Sequence, residues 1–467
     1  MYLKNLIETF SSIIQDPSLF SAARILPNSF TRENGKMPLH HLLVYLIFRH
    51  GKSLSEDICT IYSSLNNLNP PSKQAVLKRM SILNYDVWHN IQQLFLQRIY
   101  QPMTKDTLKG YLLIAIDGTF ATLPKHPALE HFFGKHKSYN GGNTPPQARI
   151  SIAYDVLNHT ILDFQVTHQN VSEMSLMFQH LENLESFLKE YKVIILADRY
   201  YGSAELFKYC EMKGYKYIVR AKSNFFRKQR ASLNENDANL DIFIDKNWQK
   251  RIKREKIRIY IEKNPLMKVR LIKSHYEYEE EYLNLHGKKV IKPISSDSEY
   301  FTNLTKEEFD CKQIIQIYHV NRWDVETGYN TIKVLLEFEQ LNSCNPIVVM
   351  NELMAKIIYF NIENIIRTIA DNENSEDELH LVNNKHVIEL CHGSWFINGF
   401  FRAKFKTKEL KELTKECARV KILVRPGRHY KRWDKFRVSI KQVRHRIDGR
   451  KNPPLKITKA GIMTSNN

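Results

Sequence analysis

The hydrophobic pattern of the first hundred residues is helical. Residues 1–105 carry apolar side chains at helical spacing, and the largely apolar run Leu39–Arg49 has the length of a helix. Ser53 and Glu56 stand at capping-box spacing before a further helix, and Ser72, which follows two prolines, can cap another. The pattern predicts a helical N-terminal region. Both a helix-turn-helix-like DNA-binding unit and an ordinary helical bundle would produce it.

From about residue 110 the pattern changes to that of an α/β sheet. Continuous apolar runs, typical of strands buried on both faces, alternate with a hairpin and with helical periodicity. In chain order we predict strand Tyr111–Ile116, hairpin strands Ile150–Val156 and Thr160–Val166, helix Ser172–Tyr191, strand Lys192–Ala197, helix Tyr201–Gly214 and strand Lys216–Arg220. This order indicates an α/β sheet with mixed strand directions.

The second half of the chain divides into three further regions. Short alternating runs at Lys256–Glu262, Val269–Ile272 and Tyr276–Tyr282 predict a β-rich insertion. Residues 310–340 return to helical spacing, and further helical segments follow. We therefore predict four parts: a helical DNA-binding domain over 1–105, an α/β core over 106–224 plus 301–345, a β-rich insertion over 225–300, and a helical, basic C-terminal region over 346–467.

Composition and charge narrow the class of protein. The 467 residues have a net charge of +19, and residues 401–460 alone hold 21 Lys and Arg against 5 Asp and Glu. This excess predicts a polyanionic partner, most simply nucleic acid, although a ribosome-associated or merely basic protein would share it. No run of eighteen apolar residues exists, which excludes a membrane span. The six cysteines are scattered singly, which argues against zinc and disulfides and fits a reducing cytoplasm.

Two aspartates follow buried runs directly. Asp117 ends the run LLIAID and Asp198 ends the run VIILAD, so we expect both at the carboxyl ends of strands, where α/β sheets bind ligands. We expect Gly118 to let the chain leave its strand tightly. Two neighbouring carboxylates would repel each other without a cation, and Mg²⁺ prefers such oxygens. The alternative is that each Asp only forms a turn or caps a helix.

A third acidic residue lies on a predicted helix. Helical spacing over residues 317–333 places five polar side chains on one stripe, namely Arg322, Glu326, Tyr329, Asn330 and Lys333. Apolar residues elsewhere on this helix indicate that part of it is buried, so the stripe suits a polar cavity. A surface helix with an ordinary Arg–Glu pair is the alternative. Other acids nearby, Asp155, Asp163 and Glu173, are expected to face solvent.

Ordered sequence blocks carry a resemblance to a known family. The blocks are AIDGT at 115–119, LADRYYGSAELF at 196–207, VRAKSNF at 219–225, FTNL at 301–304, and a final block with Tyr318, Arg322, Glu326 and Lys333. Over roughly residues 20–460 the chain resembles the DDE transposases of bacterial insertion-sequence family four, which includes the transposon-five enzyme. That family's last block reads Y-x2-R-x3-E-x6-K. Tyr318 departs from it by one position, because three residues separate it from Arg322 and His319 occupies the expected place.

The resemblance implies a fold and a chemistry. Such enzymes have a ribonuclease-H-like core, and here its carboxylates would be Asp117, Asp198 and Glu326. These would hold two Mg²⁺ ions, or Mn²⁺ as a substitute, for an in-line displacement at phosphorus. The implied fold class is α/β, with a ribonuclease-H-like core interrupted by a β-rich insertion and flanked by helical regions. The implied activity is cut-and-paste transposition, with a metal-dependent nuclease or a non-catalytic DNA-binding protein as the rival hypotheses.

The resemblance also implies DNA contacts and partners. Arg322, Lys333 and Tyr318 correspond to residues that grip terminal phosphates, for which arginine is well suited. Beside the site, Arg199, Arg220 and Lys222 are candidate phosphate contacts, with a structural ion pair as the alternative. Trp248, the only tryptophan of the predicted insertion, could stack on a flipped base or simply pack. The implied partners are the terminal inverted repeats, the target DNA and a second copy of the chain, on the nucleoid of a bacterial cytoplasm and without a membrane.

Overall fold

The computed structural model describes residues 2–31, 37–51, 53–63, 70–136, 144–222, 225–231, 233, 235–283, 289–341, 343–373 and 380–423. Most of the predicted basic tail over 401–460 lies outside these residues.

The N-terminal region is helical, as its periodicity predicts. Its helices are α1 (Tyr2–Ile14), α2 (Leu19–Ala22), α3 (Leu39–Phe48), α4 (Leu54–Ser63), α5 (Lys73–Ser81) and α6 (Asp86–Phe95), which a π-helical turn (Leu96–Tyr100) extends. Both expected caps are present. The Ser53 hydroxyl accepts from the Glu56 backbone amide at 3.2 Å, and the Ser72 hydroxyl accepts from the Ala75 amide at 3.3 Å.

A single eight-stranded sheet forms the centre of the molecule. Its strands are β1 (Tyr111–Thr122), β2 (Gln147–Asp155), β3 (Thr160–His168), β4 (Lys192–Ala197), β5 (Lys216–Arg220), β6 (Asp237–Phe243), β7 (Leu266–Leu283) and β8 (Lys289–Thr302). The order is β3-β2-β1-β4-β5-β8-β7-β6. Strands β1, β4 and β5 run parallel, and their other neighbours are antiparallel. The mixed α/β fold class is confirmed.

Helices cover the core of this sheet. They are α7 (Pro127–Phe133), α8 (Glu173–Asn183), α9 (Glu185–Leu188) and α10 (Ala204–Lys213), with a short 3-10 turn at Arg199–Tyr201. A later helical stretch consists of α14 (Cys311–Gln316), a π turn (Ile317–Asn321), α15 (Arg322–Asn330) and a second π turn (Thr331–Leu335). This stretch corresponds to the helix predicted over 310–340.

The predicted insertion contains both strands and helices. Strands β6, β7 and β8 extend the central sheet beyond β5, while α11 (Arg227–Ala231), α12 (Lys246–Gln249) and α13 (Glu255–Lys263) lie between them. The strand predicted at Lys256–Glu262 is wrong, because this segment is helix α13. Ile257 and Ile261 are buried four residues apart while Ile259 is 46% exposed. Two apolar residues four positions apart lie on one face of a helix and also on one face of a strand, so this pair does not distinguish the two.

One long helix packs against elements from both ends of the chain. Helix α16 (Pro346–Asn372) is largely buried and packs against α3, α5, α6 and β3. The Trp88 indole on α6 donates to the Asn351 side chain at 2.8 Å, which ties α6 to this helix. The remaining elements are β9 (His380–Val382), α17 (Asn384–Cys391), α18 (Ser394–Arg402), α19 (Thr407–Arg419) and β10 (Lys421–Leu423). Among the described helices, none is long and apolar enough to cross a membrane.

Candidate active site

The sheet register places the two aspartates side by side. Strands β1 and β4 are parallel neighbours, and Ile116 on β1 lies opposite Ala197 on β4. Asp117 and Asp198 are the next residues along these strands. Both were predicted at one edge of the sheet, and the register makes them neighbours there.

Asp117 does not end its strand, however, and that expectation is wrong. Strand β1 pairs with β4 only as far as Ile116, but it pairs with β2 from Ile114 through Thr122 and so continues to Thr122. Gly118 therefore stays within the strand and forms no tight exit. A Cβ atom at Gly118 would lie 3.3 Å from Cγ of Glu173, so glycine here permits the close approach of helix α8.

The carboxylates share an electrostatic environment. The pKa of Asp117 is raised to about 6, chiefly by burial. The neighbouring Glu326 and Asp198 also act to raise it, while the Gly118 amide and Arg322 act to lower it. The Asp117 side chain accepts from the Gly118 amide at 2.8 Å, and the Asp198 side chain accepts from the Arg199 amide at 2.6 Å. Asp117 is thus a partly buried carboxyl group within electrostatic reach of two other acids.

Helix α15 and the π turn that follows it face strand β1. A nitrogen (Nη2) of Arg322 lies 2.6 Å from Oε1 of Glu326, and Nη1 lies 4.0 Å from Oδ2 of Asp117. Further along, the Lys333 ammonium donates to the Thr119 hydroxyl at 2.5 Å, and burial lowers the pKa of Lys333. The guanidinium group therefore lies between the carboxylates of the helix and the strand.

Tyr329 connects this helix to the strand beside Asp117. Its buried hydroxyl donates to the backbone carbonyl of Asp117 at 2.6 Å, and the Ile152 backbone also hydrogen-bonds to it. Asp117 and Ile152 are partners in the β1–β2 register, so the hydroxyl lies between the two strands. Tyr329 fixes the helix carrying Glu326 relative to Asp117. The sequence placed Tyr329 on the polar stripe without assigning it this role, whereas Asn330 of the same stripe is exposed.

A π-helical turn explains how Tyr318 reaches the site despite its offset. The turn spans Ile317–Asn321, directly before Arg322. A π turn holds one residue more than an α turn, so it absorbs the additional residue between Tyr318 and Arg322. The Arg322 guanidinium lies 5.5 Å from the centre of the Tyr318 ring. Burial raises the pKa of Tyr318, and Arg322, Asp198 and Arg220 are the charged groups that act on it.

The three cations predicted beside the site line one cleft of about 670 Å³, together with Arg230 and Lys273. Arg199 is exposed, Arg220 donates to the Ser298 hydroxyl at 3.0 Å, and Lys222 donates to the Tyr200 carbonyl at 2.8 Å. Arg230 and Lys273 could not be predicted as part of this cleft, because the pairing of β5 with β8 is what brings their segments beside the core. In the sequence they are ordinary basic residues of the predicted insertion.

Trp248 lies apart from these groups. It is half-buried on helix α12 and packs edge-on against Phe226, with ring centres 5.0 Å apart. It does not line the basic cleft. The structure favours the packing alternative for this residue.

The acids expected to face solvent do not do so. Asp155 is fully buried and accepts from the Tyr100 hydroxyl and from Asn158. Asp163 is buried beside His180, and Glu173 pairs with Arg149. The expectation was wrong because helices pack on the hairpin: α6 and α16 contact β3, and α8 contacts both β2 and β3.

The chemistry of the donor set fits a divalent cation. Asp117, Asp198 and Glu326 supply the carboxylate oxygens that Mg²⁺ prefers, and their mutual repulsion favours a bound cation. In the described part of the chain, no three acidic, His or Cys side chains already form a metal-ion cluster. The Glu326 carboxylate is paired with Arg322, so this pair must rearrange for Glu326 to serve as a ligand.

Comparisons with known proteins identify the family. The family described as "Transposase DDE domain" matches residues 108–362, more than half of the chain. No curated protein matches. Among solved structures, the chain is similar to a piggyBac transposase synaptic complex with hairpin DNA determined by cryo-EM. That match has 12% sequence identity and a TM-score of 0.43, and it covers 88% of this chain and 84% of the other. From the family match over residues 108–362, the chain belongs to the transposase DDE-domain family.

Proposed function

We propose that this transposase cuts the ends of a DNA element and joins the freed 3′-hydroxyl to target DNA, as in cut-and-paste transposition. The observation that carries the proposal is the register of Asp117 and Asp198 on adjacent parallel strands, with Glu326 on a helix tied to Asp117. Family membership alone implies phosphoryl transfer on DNA, and this arrangement supports a specific set of catalytic residues.

In this proposal Asp117, Asp198 and Glu326 bind Mg²⁺, or Mn²⁺ in its place, with two ions per site. Bound metal would activate the attacking oxygen and stabilise the leaving oxygen. Tyr329 keeps the helix of Glu326 at a fixed distance from Asp117, because its hydroxyl bonds to the strand. The Arg322 guanidinium partly neutralises the carboxylates. It can release Glu326 and pair with a DNA phosphate in its place.

The cations around the carboxylates hold the DNA. Arg322 on α15 and Lys333 in the π turn after it both face β1, and Tyr318 lies beneath Arg322. The basic cleft of Arg199, Arg220 and Lys222 continues this positive surface toward the insertion. DNA ends held here would remain in place after the first cut, which strand transfer requires. A second copy of the chain would bring the other element end, and we place the reaction on the bacterial nucleoid.

The test is cleavage of DNA that flanks the gene on both sides, in the presence of Mg²⁺. Asp117→Ala, Asp198→Ala and Glu326→Ala should each abolish cleavage and leave DNA binding in a mobility-shift assay nearly intact, because the carboxylates serve metal rather than phosphate. Glu182→Ala, which removes an exposed acid of α8, is the matched control and should cut normally. Cleavage that persists in any of the three variants, or in excess chelator, would contradict the proposal.

A further inference from the structure

A buried hydrogen-bonded chain leads from β3 to the backbone of Asp117. Oδ2 of Asp163 lies 2.6 Å from Nδ1 of His180, and Nε2 of His180 lies 2.9 Å from the Ser151 hydroxyl. The Ser151 hydroxyl in turn donates to the Asp117 carbonyl at 3.3 Å. Ser151 and His180 are fully buried, and Asp163 is 7% exposed. Three side chains from β2, β3 and α8 therefore end on one peptide group of the active site.

This chain contacts Asp117 from the face opposite to Glu326. Successive strand residues point to opposite faces of a sheet. Gly118 faces Glu173 on α8, whereas Thr119 faces Lys333 beyond α15. The Asp117 carbonyl accordingly receives one hydroxyl from each side, from Ser151 beneath α8 and from Tyr329 on α15.

A Ser-His-Asp set can also mark a hydrolase, but this one is not built for that chemistry. A nucleophilic serine must present its oxygen to a substrate. Ser151 is inside the sheet with no exposed surface, and its proton is directed to a main-chain carbonyl. The set therefore supports structure near the active site and does not attack a substrate.

Ser151 connects the other two members to the strand. Its hydroxyl donates its one proton to the Asp117 carbonyl and accepts from Nε2 of His180. Nδ1 of His180 in turn donates to Oδ2 of Asp163. The side-chain amides of Asn183 and Gln165 also donate to Oδ2 of Asp163, at 3.2 and 3.4 Å. Asp163 lines a cavity of about 570 Å³ between α6, α8 and α16.

We propose that Ser151, His180 and Asp163 are positioning residues of the active site, which hold the Asp117 peptide so that its carboxylate faces Asp198 and Glu326. This inference rests on the proposed function, because it assigns Asp117 to metal binding. A buried polar network that is fully satisfied holds its members in one arrangement, and the loss of one member leaves the rest unpaired. A shift of the Asp117 backbone would move a metal ligand without removing it.

The first experiment compares Ser151→Ala with Ser11→Ala. Ser11 is a buried serine on α1 whose hydroxyl has no hydrogen-bond partner among the described residues, so its loss controls for removal of a buried hydroxyl. Mn²⁺ binding to the DNA-free protein is measured by electron paramagnetic resonance at a temperature where both variants are folded. We expect Ser151→Ala to bind Mn²⁺ roughly tenfold more weakly than the control, the lower end of the range for residues that support metal ligands. Equal Mn²⁺ affinity in the two variants would overturn the inference.

A second pair of variants tests the contribution of Asp163. In Asp163→Asn the amide oxygen can take the place of Oδ2 and accept from Nδ1 of His180, whereas Asp163→Leu offers no acceptor. Asp163→Asn should retain Mn²⁺ binding, and Asp163→Leu should weaken it as much as Ser151→Ala does. Equal Mn²⁺ affinity in the two variants would contradict the role of Asp163.

The same measurements separate this inference from the proposed function. If the wild type binds Mn²⁺ but cuts no DNA, the transposition proposal fails while the positioning role stands or falls on the variants. If the wild type cuts DNA and Ser151→Ala matches its control, the positioning role alone fails. Absence of Mn²⁺ binding by the wild type would overturn both.

Discussion

At the scale of single residues, Asp117 is kept in a costly environment. Its folded pKa of about 6 lies above the ordinary value of 3.8, chiefly because the carboxyl is buried. A raised pKa means that the fold favours the protonated acid. The protonated Asp117 carboxyl therefore contributes its full stabilisation of the folded state below pH 3.8, and this stabilisation is lost as the pH rises through 6. The protein retains a group that opposes folding at neutral pH, which is typical of functional sites.

The variant Asp117→Asn has a neutral side chain at every pH, so it should gain thermal stability over the wild type at pH 8 and little or none at pH 4. Cleavage should be lost at both. Melting temperatures of the two proteins between pH 4 and pH 8 provide the measurement. A gain that is larger at pH 4 than at pH 8 would contradict the assigned environment.

Tyr318 is a second residue whose environment is unfavourable in the protein without DNA. Its hydroxyl is buried and has no hydrogen-bond partner in the described part of the chain. Tyr318→Phe should therefore leave stability unchanged or raise it by about 1 kcal/mol, since no bond is lost and a desolvated hydroxyl disappears. Binding of element-end DNA should weaken by about the same free energy if the hydroxyl contacts a phosphate.

The matched control for Tyr318 is Tyr300→Phe. The Tyr300 hydroxyl bonds to His319 at 2.7 Å, so its removal should lower the free energy of unfolding. Denaturant titration and a mobility-shift assay on both variants are sufficient. A stability loss for Tyr318→Phe as large as that of the control would contradict the assignment of an unpaired hydroxyl.

At the scale of secondary-structure elements, the π turn before Arg322 should tolerate the deletion of one residue. Val320 lies in this turn and is 60% exposed, so its deletion removes little packing. The deletion should convert the π turn to an α turn and keep Tyr318 beneath Arg322, because the turn already absorbs one additional residue. Folding and cleavage should survive.

The control deletion is Thr327, an exposed residue of α15 between Glu326 and Tyr329. This turn of the helix has ordinary α geometry, so the deletion rotates Tyr329 by about 100° relative to Glu326 and removes its bond to the Asp117 carbonyl. Cleavage or joining should be lost. Equal damage from the two deletions, measured in the same cleavage assay, would show that the π turn does not compensate for the offset of Tyr318.

Most elements of the core could be predicted because their patterns are local. Strand β4 matches its prediction at both ends, since a buried parallel strand is a continuous apolar run. Helix α13 was mistaken for a strand, because three isoleucines at alternate positions are typical of a strand, although only Ile257 and Ile261, four residues apart, share the buried side of the helix. The continuation of β1 past Asp117 depends on its pairing with β2, and that is not visible in the residues of β1 itself.

The candidate site was predictable to a similar degree. Asp117 and Asp198 could be predicted because each directly follows a buried apolar run, and the polar stripe on α15 could be predicted from helical spacing. The chain of Ser151, His180 and Asp163 was not predictable, because its members come from three elements and each is an ordinary residue alone. Arg230 and Lys273 reach the basic cleft only through the arrangement of the insertion strands.

At the scale of the whole molecule, a buried charge cluster connects the N-terminal helices to α16. The Arg49 guanidinium pairs with Asp57 at 3.2 Å and also with Glu352, and all three side chains are buried. Lys356, also buried, donates to the Glu337 carbonyl just beyond the second π turn, at 2.6 Å. The N-terminal helices, α16 and the end of the Glu326-bearing stretch therefore share one network.

Arg49→Met should destabilise the whole protein by about 3 kcal/mol or more, because it leaves two carboxylates buried without their cation. Arg419→Met is the control, since Arg419 pairs with Glu416 on the exposed side of α19, where an ion pair contributes at most about 1 kcal/mol. Denaturant unfolding should show a single transition for both proteins. A loss for Arg49→Met no larger than that of the control would contradict the structural role of the cluster.

We propose above all that Asp117, Asp198 and Glu326 carry out DNA transposition with divalent metal. The most direct measurement incubates a pre-cut element end with supercoiled target DNA, Mg²⁺ and the wild-type protein, and detects joined products. We expect joining that disappears with chelator and in Glu326→Ala, and that falls more than nicking does in Lys333→Ala, since Lys333 would hold the cut end. Efficient nicking without joining under either Mg²⁺ or Mn²⁺ would contradict transposition and favour a simple nuclease.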